Sequence, residues 1–92
     1  MMRRPYEQTP REMDMSVSAY ILIQTEVGRA ATVARAVQTI DGVITAEGVT
    51  GPYDVITRAE ANTMDELGQM VVGRIQLIEG IIRTVTCPVV NL

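Results

Sequence analysis

The chain has no histidine, no lysine, no tryptophan and no phenylalanine. Without histidine, the commonest metal ligand and the commonest general base are both missing. Without lysine, all eight positive charges are arginine, set against eleven acids for a net charge of −3. An acidic domain lacking a basic run is a poor match to independent nucleic-acid binding. The one cysteine, Cys87, excludes an internal disulfide, fits a reducing cytosol, and is read as a small buried hydrophobe before Pro88. No apolar run reaches the ~20 residues of a membrane helix, and residues 1–15 are too polar for a signal peptide. The expectation is a soluble cytoplasmic protein that is not an enzyme and carries no cofactor or metal.

What is present is aliphatic. Of the 92 residues 47% are apolar, enough for one small folded domain. Its core must be filled by Ile, Val, Leu, Ala and Met, because the aromatics are only Tyr6, Tyr20 and Tyr53. Such a core suits a thin layered domain.

Residues 1–15 mix Pro5, Pro10, arginines and acids without periodicity and read as a flexible tail. The alternative is an arm packing on a neighbouring subunit through Tyr6. Residues 16–92 form the domain. Val17 to Glu26 reads as a strand with Val17, Ala19, Ile21 and Ile23 on one side and Tyr20, Leu22 and Gln24 on the other. Both sides are apolar through its middle, which signals burial on two faces. Gly28 is expected to cap a helix with Ala30, Val33, Ala34, Val37 and Ile40 on its inner stripe, ended by Gly42 as the left-handed residue.

Val43 to Val49 reads as a strand that Gly48 interrupts with a bulge. Val49-Thr50-Gly51-Pro52-Tyr53-Asp54-Val55 is a turn, and Asp54 to Ala61 a third strand. Thr63 and Glu66 have capping-box spacing at the start of a helix burying Leu67, Met70, Val71 and Ile75, with Met64 a further candidate. That helix runs to Glu79-Gly80, and Ile81 to Val89 is the last strand. On it Ile82, Thr84 and Thr86 share one side and Arg83, Val85 and Cys87 the other.

An internal echo joins the halves. Asp41-Gly42-Val43-Ile44 recurs as Glu79-Gly80-Ile81-Ile82, an offset of 38 residues that also takes Val17 to Val55. Strand–helix–strand written twice predicts an α+β ferredoxin-like βαββαβ sandwich, four antiparallel strands with two helices on one face. The other face is then bare. About three outward side chains per strand, half of them apolar, would expose roughly 600–900 Å², one half of a standard interface. A homodimer is expected, with Tyr20, Leu22, Ile44, Ile56 and Ile82 as interface candidates.

The stretches Ser18-Ala19-Tyr20-Ile21-Leu22-Ile23, Asp41-Gly42-Val43, Val49-Thr50-Gly51-Pro52-Tyr53-Asp54-Val55-Ile56 and Gly80-Ile81-Ile82-Arg83-Thr84-Val85-Thr86 resemble the effector-binding (RAM) domain of the Lrp/AsnC feast/famine regulators. The resemblance implies dimers joined through their sheets, rings of dimers, and amino-acid effectors bound between dimers near the Gly-x-Tyr-Asp turn. Carried over, Gly51, Tyr53 and Asp54 are the matched effector-binding positions, with Thr84 and Thr86 a weaker transfer. No helix-turn-helix is legible, so the expectation is a stand-alone form that reaches DNA only through full-length regulators of the family.

Each matched residue also has a plainer reading. Gly51 allows close approach of a carboxylate to backbone amides, or is simply a turn glycine. Asp54 can pair with an ammonium group or cap the turn. Tyr53 can wall a pocket or pack at a subunit edge. Thr84 and Thr86 suit a strand for their β-branching alone. Asp65 and Glu66 fit the dipole of a helix first turn better than a catalytic pair. Two other functions stand beside the effector module: a purely structural assembly protein, and a small dimeric ferredoxin-like enzyme. The enzyme reading suffers from the missing His and Trp.

Overall fold

The computed structural model describes residues 16–90. The tail expected over residues 1–15, with Tyr6, lies outside them. In chain order the elements are β1 (Val17–Thr25), α1 (Ala30–Gln38), β2 (Val43–Gly48), β3 (Val55–Ala61), α2 (Met64–Met70) continuing into a π turn (Val71–Ile75), and β4 (Ile81–Pro88). The strands form one antiparallel sheet ordered β2-β3-β1-β4. This is the ferredoxin-like βαββαβ arrangement that the echo predicts.

The core lies between the sheet and the helices. Ala19, Ile21 and Ile23 of β1 and Val55 and Ala59 of β3 meet Val33 and Val37 of α1 and Leu67, Val71 and Ile75 of α2. Full burial of each larger aliphatic side chain contributes about 1.5–3 kcal/mol, so this layer is the main source of stability. Thr57 sits among them, fully buried, with no hydrogen-bond partner for its hydroxyl. The opposite side of the sheet is uncovered, and Tyr20 there is 42% exposed.

Several local expectations are corrected. Gly28, at φ 80, serves the turn in which the Arg29 N–H donates to the Glu26 carbonyl; Arg29 is the N-cap, without a side-chain cap. Gly42 (φ 96) is not the residue that stops α1. The helix has already tightened through Thr39 N–H to Ala36 O and Ile40 N–H to Val37 O, and Gly42 turns the chain into β2. The bulge in β2 is at Ile44, between Val43 and Thr45, not at Gly48. The second helix is shorter than its pattern: α-helical bonding gives way at Val71 to a π turn in which Gln76 N–H donates to Val71 O. Met64 is half-exposed, and Cys87 is exposed on the uncovered side of β4 rather than buried. The cap at Thr63 is present, its Oγ1 accepting from Glu66 N–H at 3.1 Å.

Candidate functional site: the β2–β3 loop and the open sheet face

Between the last β2–β3 pair, Gly48 and Val55, six residues cross the end of the sheet. The Val49 N–H donates to the Asp54 carbonyl and closes this loop. Gly51 at its tip has φ 141, outside what L side chains adopt readily, and nothing lies within 4 Å of where a Cβ would stand. Val49, Thr50, Gly51 and Pro52 are exposed, so on one chain the loop stands open to solvent.

Asp54 anchors the loop to β1. Its N–H donates to the Ile23 carbonyl at 2.8 Å, and its Oδ2 accepts from the Thr25 N–H at 2.8 Å. The plainer capping role therefore operates, although the amide capped belongs to the end of β1 rather than to the turn. Tyr53, half-buried, reaches past β1 to β4, where Arg83 Nη2 donates to its hydroxyl at 3.3 Å. The guanidinium carbon lies 6.0 Å from the ring centroid, at the edge of cation–π range.

Arg83 is the residue that the fold adds to this group. Strand parity set it opposite Thr84 and Thr86, but nothing in the pattern joined it to Tyr53. The missing piece was sheet order: β1 separates β3 from β4. A bulge strengthens the effect. Gln24 pairs with Arg83 and Thr25 with Ile81, leaving Ile82 as the extra residue beside the arginine. Bulges turn neighbouring side chains away from the regular pleat.

Thr84 and Thr86 do not join this group. They pair with Ile23 and Ile21, whose side chains face the helices, and Thr84 Oγ1 accepts from Gln76 Nε2 at 2.8 Å. Gly51, Tyr53 and Asp54 are together; the threonines belong to the other side of β4.

Of the five interface candidates, three form a strip on the open face. Leu22 lies opposite Ile56 on one side and Val85 on the other, and Tyr20 lies opposite Arg58 and Cys87. Arg58 Nη1 donates to the Tyr20 hydroxyl at 2.9 Å, with the guanidinium carbon 5.2 Å from the ring centroid. Ile44 and Ile82 are exposed but occupy the bulges of the two edge strands, far apart across the sheet. Among the described residues no group of three or more His, Cys, Asp or Glu is placed to hold a metal ion, and no helix is long and apolar enough to cross a membrane.

Comparison with known proteins gives this geometry a context. The chain is 28% identical over 79 residues to an uncharacterized HTH-type transcriptional regulator of Pyrococcus horikoshii, covering 83% of this chain and 53% of the regulator. It thus spans about half the length of that relative. Among solved structures, TTHA0845 from Thermus thermophilus superposes with a TM-score of 0.78 at 28% identity, covering 83% of this chain and 95% of that one. The fold alone extends to a transcriptional regulator of Neisseria meningitidis solved as its L-Met complex, with TM-score 0.77 and 18% identity over 90% of this chain and 55% of that one. The model of the Lrp/AsnC ligand binding domain matches residues 18–91, and the chain belongs to that family.

Proposed function

We propose that this chain is an amino-acid-effector-binding and oligomerisation module that modulates Lrp/AsnC-type transcription regulators by assembling with them. The observation that carries the reading is the Val49–Asp54 loop. Its tip is open and its base is tied to β1 through both the backbone and the side chain of Asp54. A rigid base with an exposed, glycine-tipped edge is a half-site that a second subunit can close. Gly51, Tyr53 and Asp54 are the effector residues of one chain. Thr84 and Thr86, on the other side of β4, serve the site of a different subunit.

The dimer contact is the open face, centred on Leu22, Ile56 and Tyr20, with Ile44 and Ile82 at its margins. Chains paired in this way would form the ring of dimers in which a loop of one dimer meets the next. An effector bound at that junction favours the assembly that contains it, because only differential binding shifts a population. Modulation of transcription then follows from how many DNA-reading partners the assembly carries. The Neisseria regulator, solved with L-Met, suggests which amino acid to try first.

The test is isothermal titration of the purified chain with each amino acid, L-methionine first, alongside native mass measurement. At least one amino acid should bind and redistribute the assembly masses. No heat from any of them, with masses unaltered, removes the effector half and leaves a purely structural assembly protein. A monomer at micromolar concentration removes both halves.

A further inference from the structure

The outward side of the second helix is an apolar face that nothing among the described residues covers. Met64 is 48% exposed and Val72 63%, about two turns apart on one side of the helix. Between them Gly68 leaves open space where a side chain would stand, as Gly73 does just beyond. Neither glycine has the positive φ that would require it there, so the opening weakens the helix without serving its backbone.

Three depressions join along this face. The first, about 320 Å³, lies between Ser16, where the described residues begin, and Met64, Pro88 and Val89. It shares Met64 with a second of about 510 Å³ over Gly68 and Val72. The second shares Gln69 and Gly73 with a third of about 360 Å³, lined also by Asp41, Glu66 and Arg74. Together they make one groove that opens at Ser16, runs along the helix and passes from apolar to net acidic. Asp41 and Glu66 make no ion pair among the described residues.

The sequence leading into Ser16 carries the matching order. In an extended chain alternate side chains share a side, and Met15, Met13 and Arg11 are such a set, with Asp14 and Glu12 on the other. From Met15 to Arg11 is roughly 13 Å of extended chain. From Met64 to Gly73 is roughly 14 Å of helix axis. Two methionines followed by a cation therefore fit an apolar groove with an acidic end. Methionine is also the side chain that adapts best to an irregular apolar surface. These residues precede position 18, where the family match begins, so the family does not supply the contact.

We propose that residues 11–15 of the same chain cover the outer face of the second helix. Met15 and Met13 lie against Met64 and Val72, and Arg11 meets Asp41 and Glu66. The occupant is this chain's own segment because the groove opens at Ser16. A short tether supplies it at an effective concentration of roughly millimolar, above that of a separate molecule at micromolar concentration. The helix is then held from both sides, and its outward face is closed to other partners while the segment stays in place.

The experiment is disulfide trapping in the full chain, with Cys87→Ser as background. Met13→Cys is combined with Gly68→Cys on the floor of the groove or, as control, with Thr32→Cys on the exposed side of α1. Mild oxidation should join position 13 to position 68 within one chain, roughly tenfold faster than to position 32. Val72→Glu should slow the joining at 68 roughly tenfold by putting a charge into the apolar stretch. Arg11→Glu should slow it by roughly two- to fivefold, and adding Glu66→Arg should restore it. Equal rates at 68 and 32, or no joining at 68, overturn the proposal. Rates that Val72→Glu and Arg11→Glu leave unaltered overturn the contacts assigned to Met13 and Arg11. Joining at 68 only between two chains, seen as a product of doubled mass, overturns the same-chain assignment and gives the groove to a second copy. Each of these failures leaves the effector module standing.

Discussion

The two halves of the chain repeat one plan and diverge where each does separate work. In both, an acid-glycine pair turns the helix into an edge strand: Gly42 at φ 96 before β2 and Gly80 at φ 100 before β4. In both, the second residue of the new strand is squeezed out as a bulge, Ile44 and Ile82. Each glycine carbonyl also accepts from a glutamate N–H of the other half, Glu60 to Gly42 and Glu26 to Gly80, at 2.8 Å in both cases. The shared features therefore lock the halves together. The differences lie elsewhere: a long loop opens β3, a π turn ends α2, and a buried hydroxyl stands at Thr57 where the first half has Ala19.

The strongest way to break the symmetry is at the paired glycines. A Cβ on Gly42 would lie 2.8 Å from the Glu60 carbonyl oxygen, besides running into the end of Met70. Gly42→Ala combines that overlap with a positive φ and should cost about 3–5 kcal/mol. On Gly80 the nearest atoms are Val33 Cγ2 at 3.2 Å and Arg29 Cβ at 3.3 Å, both side-chain atoms. Gly80→Ala should cost less, about 2–3 kcal/mol. Denaturant unfolding at matched protein concentration checks the order. Equal losses would mean that backbone conformation alone matters and the packing difference does not.

Next in size is the anchor that only the second half has. Asp54→Ala removes a charge-assisted hydrogen bond to the Thr25 amide and should cost about 1.5–3 kcal/mol. Hydrogen exchange at Thr25 should rise well above that of Ile23, whose strand is otherwise intact. An unchanged Thr25 amide would mean that the carboxylate does not hold the loop. The same result warns that Asp54→Ala cannot by itself separate loss of ligand from loss of loop.

Thr57 tests the halves in the opposite direction. Its hydroxyl is fully buried and unpartnered, while Ala19, its equivalent in the repeat, carries no polar atom. Thr57→Val keeps the shape and removes the desolvated oxygen, and should stabilise by about 1 kcal/mol. A loss of stability would point to a bound water satisfying the group.

How far the sequence could be read follows the same division. The repeat made the fold legible, because apolar periodicity and the two acid-glycine turns are local signals that recur at one offset. The inner face of β1 was not legible in the same way: both of its sides read as apolar, and only the packing of the helices selects Ala19, Ile21 and Ile23 for the core. The site was only half legible. Gly51, Tyr53 and Asp54 are consecutive or nearly so, and a turn motif exposes them together. Arg83 is 30 residues from Tyr53 and meets it only because β1 lies between β3 and β4, a fact of topology rather than of pattern. Thr84 and Thr86 show the same limit of pattern: parity aligns them with each other but does not say that they lie on the side of β4 away from this loop. The bulges at Ile44 and Ile82 fall on β-branched residues and so carry no local signal, whereas Gly48, which resembles a bulge residue, pairs regularly with Val55.

The finest contrast is between the helices. Where α1 has Ala30 and Arg35, the offset places Gly68 and Gly73 in the second helix, and that helix changes to π bonding at Val71. Two causes compete for the change, and they separate experimentally. Glycine weakens helical bonding, which would make the π turn a local failure. Alternatively the core imposes it, because Leu67, Val71 and Ile75 must all reach the sheet and the wider turn sets Ile75 in line. No atom stands within 4 Å of a Cβ built on either glycine outside the helix's own backbone, so alanine fits at both. Gly68→Ala and Gly73→Ala should each stabilise by about 0.5–1 kcal/mol. If the core imposes the π turn, the Gln76 amide stays bonded to the Val71 carbonyl in Gly73→Ala, and its exchange slows in step with global stability. If glycine causes it, the bond moves to the carbonyl of Val72, Ile75 rotates off the core, and the gain in stability disappears.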